Sequence, residues 1–121
     1  MAEMHSQTNG EVLVIYLGHH RIVDQAIIDS VAGTLEKLLN KCEHGKMLLN
    51  FEGVKFMGSA MLGKLITLNK RCKEAGVNLK LCSIDPQIMQ VFTMTKLDKV
   101  FQIFDEEERA ISAFEKKGWF G

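Results

Sequence analysis

Residues 47–65 read MLLNFEGVKFMGSAMLGKL and join an apolar strand to an amphipathic helix through a short loop. The spacing predicts that the helix begins at the junction of Gly58 and Ser59, where a cluster of small residues stands. A helix start concentrates unpaired backbone N–H groups and a partial positive charge. Small side chains leave that backbone open to a partner or to a phosphate. The stretch therefore places a hydroxyl, that of Ser59, where a functional site is expected.

Strand and helix patterns alternate through the rest of the chain. Short connections between strand and helix favour parallel neighbouring strands with right-handed crossovers. The pattern therefore predicts a single α/β domain over residues 11–121, preceded by a flexible N-terminal tail over residues 1–10. Its sheet is expected to be mixed and mostly parallel, with four to five strands flanked by about four helices. The predicted strands cover 11–17, 21–23, 46–51, 77–82 and 100–104, and the predicted helices begin after Asp24, at Gly58–Ser59, at Asp85-Pro86 and after Asp105, the last ending at Gly118.

The bulk composition excludes several classes of function. The 121 residues carry a formal net charge of +0, which gives no electrostatic footprint for nucleic acid or an anionic membrane. The longest apolar runs are far shorter than the roughly twenty residues that membrane insertion requires. The polar N-terminus lacks the layout of a secretion signal. Cys42, Cys72 and Cys82 lie among apolar neighbours and are interpreted as buried free thiols of a cytoplasmic protein.

No catalytic constellation, cofactor motif or metal site is recognisable. Gly53, Gly58 and Gly63 are spaced at five, which matches neither the P-loop nor the dinucleotide fingerprint. The residues around Ser59 lack the flanking glycines of a nucleophile elbow. The histidines are spaced unlike metal ligands. The acidic run 106–108 at a helix start is interpreted as complementing the helix dipole. The sequence therefore favours a binding protein over an enzyme.

Ser59 itself admits two interpretations. Its hydroxyl could cap the helix by accepting a hydrogen bond from a backbone N–H, a contribution of about 1 kcal/mol. Alternatively, it could be a phosphorylation switch, since a helix start tolerates the added negative charge. A partner packed over Gly58, Ala60 and Met61 would then have to desolvate that charge, so phosphorylation would turn the complex off.

With these residues in view, the sequence resembles the STAS family, which includes the bacterial anti-sigma-factor antagonists and domains of sulfate transporters. The similarity runs from about Glu11 to Phe114 and depends on the order and spacing of several segments. The resemblance implies a small sheet flanked by helices, and binding of an anti-sigma factor that has serine kinase activity. The segments that carry it are Leu48–Phe51, Gly53-Val54, Phe56-Met57, Ser59, Leu62-Gly63, the KEAGV-N-LKLC stretch of residues 73–82, and VFTMTKLDKVF of residues 91–101.

The chain departs from the family at its usual phosphoacceptor. In the family's Asp-Ser-Ser-Gly-Leu-Gly motif the acceptor is usually the second serine, and Leu62-Gly63 aligns with its end. The first serine then falls on Ser59 and the second on Ala60. Either Ser59 takes over as acceptor, or the protein binds its partner constitutively without phosphorylation.

The sequence is thus best interpreted as a cytoplasmic anti-sigma-factor antagonist, a homodimer being possible. One alternative is a STAS scaffold subunit of a signalling assembly or an accessory subunit of a transporter, binding constitutively. A second is a domain that binds a small molecule or nucleotide. The expected partner-binding residues are Asp24, which the resemblance places near the phosphosite, and Gly53, Met57, Gly58, Ser59, Ala60, Met61, Gly63 and Lys64.

Overall fold

Seven strands and four helices follow one another along residues 4–116, the part of the chain that this computed structural model describes. The predicted helix end at Gly118 and the first three residues of the expected tail lie outside that part. The strands are β1 His5–Asn9, β2 Val12–Tyr16, β3 Arg21–Ile22, β4 Lys46–Asn50, β5 Phe56–Met57, β6 Asn78–Cys82 and β7 Gln102–Phe104. The helices are α1 Gln25–Asn40, α2 Ser59–Glu74, α3 Pro86–Met94 and α4 Glu107–Lys116, with a 3-10 turn at Leu97–Lys99.

Five strands form the main sheet in the order β1-β2-β4-β6-β7. All neighbours are parallel except β1 and β2. Because β2, β4, β6 and β7 advance in one direction across the sheet, crossovers of one hand put α1, α2 and α3 on the same face. The predicted mixed, mostly parallel sheet with about four flanking helices is confirmed. A separate parallel pair, β3 with β5, lies outside the main sheet.

The core has two layers because side chains of a strand alternate between the two faces of the sheet. On one face Ile15, Leu49 and Leu81 pack with the inner stripes of α1, α2 and α3. On the other face Val14 and Leu48 pack against Ala110 and Phe114 of α4. Within residues 4–116, no helix has the length and apolar character that a membrane crossing needs.

The expectation of a flexible tail over residues 1–10 is wrong in part, because five of these residues form strand β1. His5–Asn9 pairs antiparallel with β2, and Asn9 stands opposite Val12. The two-residue turn between them contains Gly10 at φ +62°, a conformation that glycine adopts without strain. All five side chains of β1 are exposed. No hydrophobic pattern therefore marks the strand, which is held by the hairpin turn, the hydrogen-bonding edge of β2, and contacts of His5 and Gln7 with Tyr16.

The cysteines are free, as expected. Cys72 and Cys82 are buried, whereas Cys42 is half-buried. Burial raises the pKa of Cys72 and of Cys82 to about 11. Both thiols are therefore held in the protonated form at neutral pH, in which a thiol is a poor nucleophile.

Candidate functional site

Helix α2 begins at the predicted junction, on the surface of the molecule. Gly58 occupies the N-cap position in an extended conformation, with φ −75° and ψ 156°. Ser59 and Ala60 follow as the first helical residues, and both are exposed. The first backbone N–H groups of the helix are therefore covered only by small side chains.

The structure corrects the capping interpretation of Ser59. The cap position belongs to Gly58, which has no side chain to accept a hydrogen bond, and no side-chain cap bond forms there. Since Ser59 is already helical, its hydroxyl stands outside the capping geometry. Among residues 4–116 this hydroxyl has no hydrogen-bond partner. Ser59 thus carries an exposed, unengaged hydroxyl at the positive end of a helix.

The structure also corrects the expectation that Met61 contacts a partner. Its side chain has 0% exposure and belongs to the inner stripe of α2, so it packs on the sheet and is not available to a partner. The helical period that buries Met61 turns Gly63 and Lys64 outward, and both are exposed. A Cβ built on Gly63 would meet nothing within 4 Å. Lys64 lies 3.8 Å from Asp29 of α1, and both side chains of this pair remain largely in solvent.

The loop that leads into α2 is fixed by backbone hydrogen bonds. Val54 is buried and donates its N–H to the carbonyl oxygen of Phe51 at 2.9 Å. Between them Gly53 is exposed at φ +88°, where a side chain would be strained. The N–H groups of Lys55 and Phe56 both point to the carbonyl oxygen of His20, at 2.9 and 3.2 Å. The segment before the helix is therefore held against β3 in one conformation.

Asp24 lies close to the same surface. The N–H of Gly58 donates to the carbonyl oxygen of Ile22 at 2.9 Å, and the Cβ position of Gly58 is 3.6 Å from the Cα of Val23. Asp24 is the next residue and is exposed. It occupies the N-cap position of α1, as predicted, but its side chain makes no capping hydrogen bond. Of the nine residues expected to bind a partner, those of the loop and helix start other than buried Met61 are at least partly exposed. We call them the helix-start surface, which comprises exposed Gly53, Ser59, Ala60, Gly63 and Lys64 with half-buried Met57 and Gly58.

One salt bridge ties the loop to α3. The ammonium group of Lys55 lies 3.0 Å from Asp85 Oδ1. The other carboxylate oxygen of Asp85 accepts the backbone N–H of Gln87 at 3.1 Å and so caps α3, as the sequence predicted. The hydrogen bond from Lys55, followed by that from Gln87, lowers the pKa of Asp85. Asp85 therefore remains charged well below neutral pH and links the loop to the start of α3.

A polar network beneath the loop was not recognised from the sequence. The side-chain amide of Asn50 is buried; its oxygen accepts the N–H of Glu52 at 2.8 Å, and its nitrogen donates to Glu107 at 2.9 Å. The same carboxylate oxygen of Glu107 accepts the hydroxyl of Tyr16 at 2.7 Å. Glu107 therefore connects strands β2 and β4 to α4, beyond the dipole role expected of the acidic run. Asn50 and Glu107 lie 57 residues apart, so no local pattern points to the pair.

The titration of Tyr16 provides a direct measure of this network. Burial, followed by the hydrogen bond to Glu107, raises the pKa of Tyr16 to about 12. Because the folded state holds the proton more tightly than the unfolded chain, this stabilisation is complete below pH of about 10. It is lost as the pH rises through about 12. The sequence contains one tyrosine, so the phenolate absorbance reports this residue alone.

We expect a phenolate midpoint near 12 for the native protein and near the ordinary value for the chain in denaturant. Glu107→Gln should lower the native midpoint, since it removes the negative charge beside the hydroxyl. A native midpoint equal to that of the denatured chain would contradict the network.

Comparison with known proteins identifies the family. The model of the STAS domain matches residues 4–110. A curated relative, an anti-sigma F factor antagonist of Paenibacillus polymyxa, is 26% identical in an alignment of 114 residues that covers 85% of this chain and 96% of the relative. A STAS domain protein of Planctomyces limnophilus superposes with a TM-score of 0.79 at 25% identity, over 91% of this chain and 96% of that one. The Bacillus cell fate determinant SpoIIAA in its phosphorylated form superposes with a TM-score of 0.69 at 19% identity, over 93% of this chain and 99% of that one. Since the match spans the main sheet, the first three helices and the whole helix-start surface, this chain belongs to the STAS domain family.

Proposed function

We propose that this chain is an anti-sigma-factor antagonist that acts in the cytoplasm by binding, not by catalysis. Its partner is an anti-sigma factor with serine kinase activity, which docks on the helix-start surface. The observation that carries the proposal is the exposed hydroxyl of Ser59, without an intramolecular partner among residues 4–116, at the start of α2 beside a rigid loop. The similarity to an anti-sigma F factor antagonist of Paenibacillus polymyxa supports the choice of partner.

Ser59 is the proposed phosphoacceptor. In the stretch Gly58-Ser59-Ala60-Met61 it is the only hydroxyl, and it is exposed. A phosphate on this residue would add a charge of roughly −1.5 to −2 at the positive end of the helix, so the fold would tolerate it. A partner packed on Gly58 and Ala60 would have to desolvate that charge. Phosphorylation would therefore release the partner without unfolding the domain.

The first test compares Ser59→Asp with Ser59→Ala in titrations against the purified anti-sigma factor of the same organism. We expect Ser59→Ala to bind like the wild type and Ser59→Asp to bind at least about tenfold more weakly, which corresponds to ~1.4 kcal/mol. Ser112→Asp is the matched control, because Ser112 is exposed on α4 at the other face of the sheet. It should not change the affinity.

The outcomes separate the parts of the proposal. Equal affinities of Ser59→Asp and Ser59→Ala would contradict control by phosphorylation of Ser59 and would indicate constitutive binding. No binding by the wild-type protein would remove the antagonist function. Sedimentation of the pure protein should give a monomer or dimer, whereas a large homo-assembly would favour a scaffold subunit.

A further inference from the structure

An apolar groove adjoins the helix-start surface. Among residues 4–116, the large apolar side chains that remain exposed are Val23, Phe56, Ile66, Val91, Met94 and Val100. Three of them, Val23, Phe56 and Val91, line one groove of about 260 Å³ between the β3–β5 pair and α3. We name it the Phe56 groove. The residue after β3, strand β5 and helix α3 thus bring half of these exposed apolar side chains into one place.

The ring of Phe56 packs against two neighbouring side chains in the absence of a partner. Phe56 is 44% exposed, yet its ring is held on two sides. The guanidinium of Arg21 lies 4.8 Å from the ring centroid, and the His20 ring meets it edge-on at 5.6 Å. The backbone of Phe56 is fixed by its hydrogen bond to His20. A preformed aromatic side chain costs little entropy on binding, which makes it a suitable anchor.

The charges of the groove are of one sign. Within the described part of the chain, Arg21 and Lys55 line it and no carboxylate does. Lys55 is paired with Asp85. Arg21 has no carboxylate partner among residues 4–116 and stacks on Phe56 instead. The groove therefore combines an apolar floor with an uncompensated cation at its rim.

We infer that the Phe56 groove receives a segment of the anti-sigma factor in which an apolar side chain is flanked by a carboxylate. The apolar side chain enters between Phe56 and Val91, and the carboxylate pairs with the guanidinium of Arg21. This inference rests on the proposed function for the identity of the partner. Val23 links the groove to the helix-start surface, since its Cα lies 3.6 Å from the Cβ position of Gly58. One partner can therefore cover both.

Charge argues against a second copy of this chain as the occupant. Two copies docked through the same face about a twofold axis would each present the unpaired guanidinium of Arg21 to the other. Like charges placed together in an interface oppose association. A partner with carboxylates avoids this cost.

The test measures the affinity of Arg21→Glu and Phe56→Ala for the purified anti-sigma factor of the same organism. Each change affects an exposed side chain, and folding is checked by circular dichroism. We expect at least about tenfold weaker binding for Phe56→Ala, and a similar or larger loss for Arg21→Glu because the charge is reversed. Val100→Ala is the matched control, because Val100 is 45% exposed and does not line the groove. It should bind like the wild type.

If the wild-type protein binds and both groove variants bind with the same affinity, the Phe56 groove is not a docking site and the inference is wrong. The proposed antagonist function would not be affected by that result. Absence of wild-type binding would overturn both proposals. The groove variants could instead alter self-association in sedimentation and leave the affinity for the anti-sigma factor unchanged. That result would show that the groove binds a second copy of this chain, and it would also contradict the inference.

Discussion

Gly63→Gln should weaken binding of the anti-sigma factor by about 100-fold, or ~2.7 kcal/mol, without destabilising the free protein. Gly63 lies in the second turn of α2, between the exposed residues Ser59 and Thr67. A Cβ at this position meets nothing within 4 Å, so the fold has room for a side chain. A glutamine there would stand in the surface that the partner is proposed to cover.

Helix propensity allows this prediction to distinguish a loss of binding from a loss of folding. Glycine inside a helix is less favourable than glutamine by roughly 0.5–1 kcal/mol, so Gly63→Gln should raise the free energy of unfolding by about that amount. A variant that is more stable and yet fails to bind cannot be explained by misfolding. The measurements are chemical denaturation and titration with the purified anti-sigma factor.

Gly33→Gln is the matched control. Gly33 is exposed in α1, and a Cβ there also meets nothing within 4 Å. The control should gain similar stability and keep the wild-type affinity. If Gly63→Gln binds like Gly33→Gln, the second turn of α2 lies outside the interface.

Local sequence patterns are sufficient to predict the four parallel strands of the main sheet and the start of α2, but not the edge strand β1. Continuous apolar runs that alternate with helical patterns predict parallel strands, and Gly58 followed by a helical stripe predicts where α2 begins. The same stripe includes Met61 on its inner side, so its period already argued against the expectation that Met61 contacts a partner. Exposure of a single side chain has to be derived from helical phase, not from closeness in sequence.

Features that depend on distant parts of the chain were missed. The Phe56 groove joins Val23, Phe56 and Val91 from three separate segments of the chain, and no local pattern distinguishes any of them. Asn50 was assigned to a strand, without any indication that Glu107 would meet its amide. Strand β5 covers two residues, which is too short to produce a period. Each of these features becomes visible only once the crossovers have brought the elements together.

Phe51→Ala should lower the free energy of unfolding by about 3–5 kcal/mol. Phe51 has 0% exposure and packs in the core beneath α1, α2 and α3. Its N–H donates to the carbonyl oxygen of Cys82 at 3.0 Å, and its own carbonyl oxygen accepts the N–H of Val54. Truncation therefore leaves a cavity directly under the loop that leads to Ser59. Chemical denaturation measures the stability, and Phe51→Leu, with a smaller cavity, should lose less.

Because Phe51 lies under the loop, Phe51→Ala is also expected to weaken binding, whereas a cavity far from the helix-start surface is not. Phe114→Ala is the matched control, because Phe114 is 2% exposed and packs on the opposite face of the sheet with α4. The stability losses should be similar, since both changes remove a buried phenylalanine. Under conditions where both variants are folded, only Phe51→Ala should weaken binding of the anti-sigma factor, because its cavity releases the loop from its anchor. Equal affinities in the two variants would show that the anchor at Phe51 supports the fold but does not position the helix-start surface.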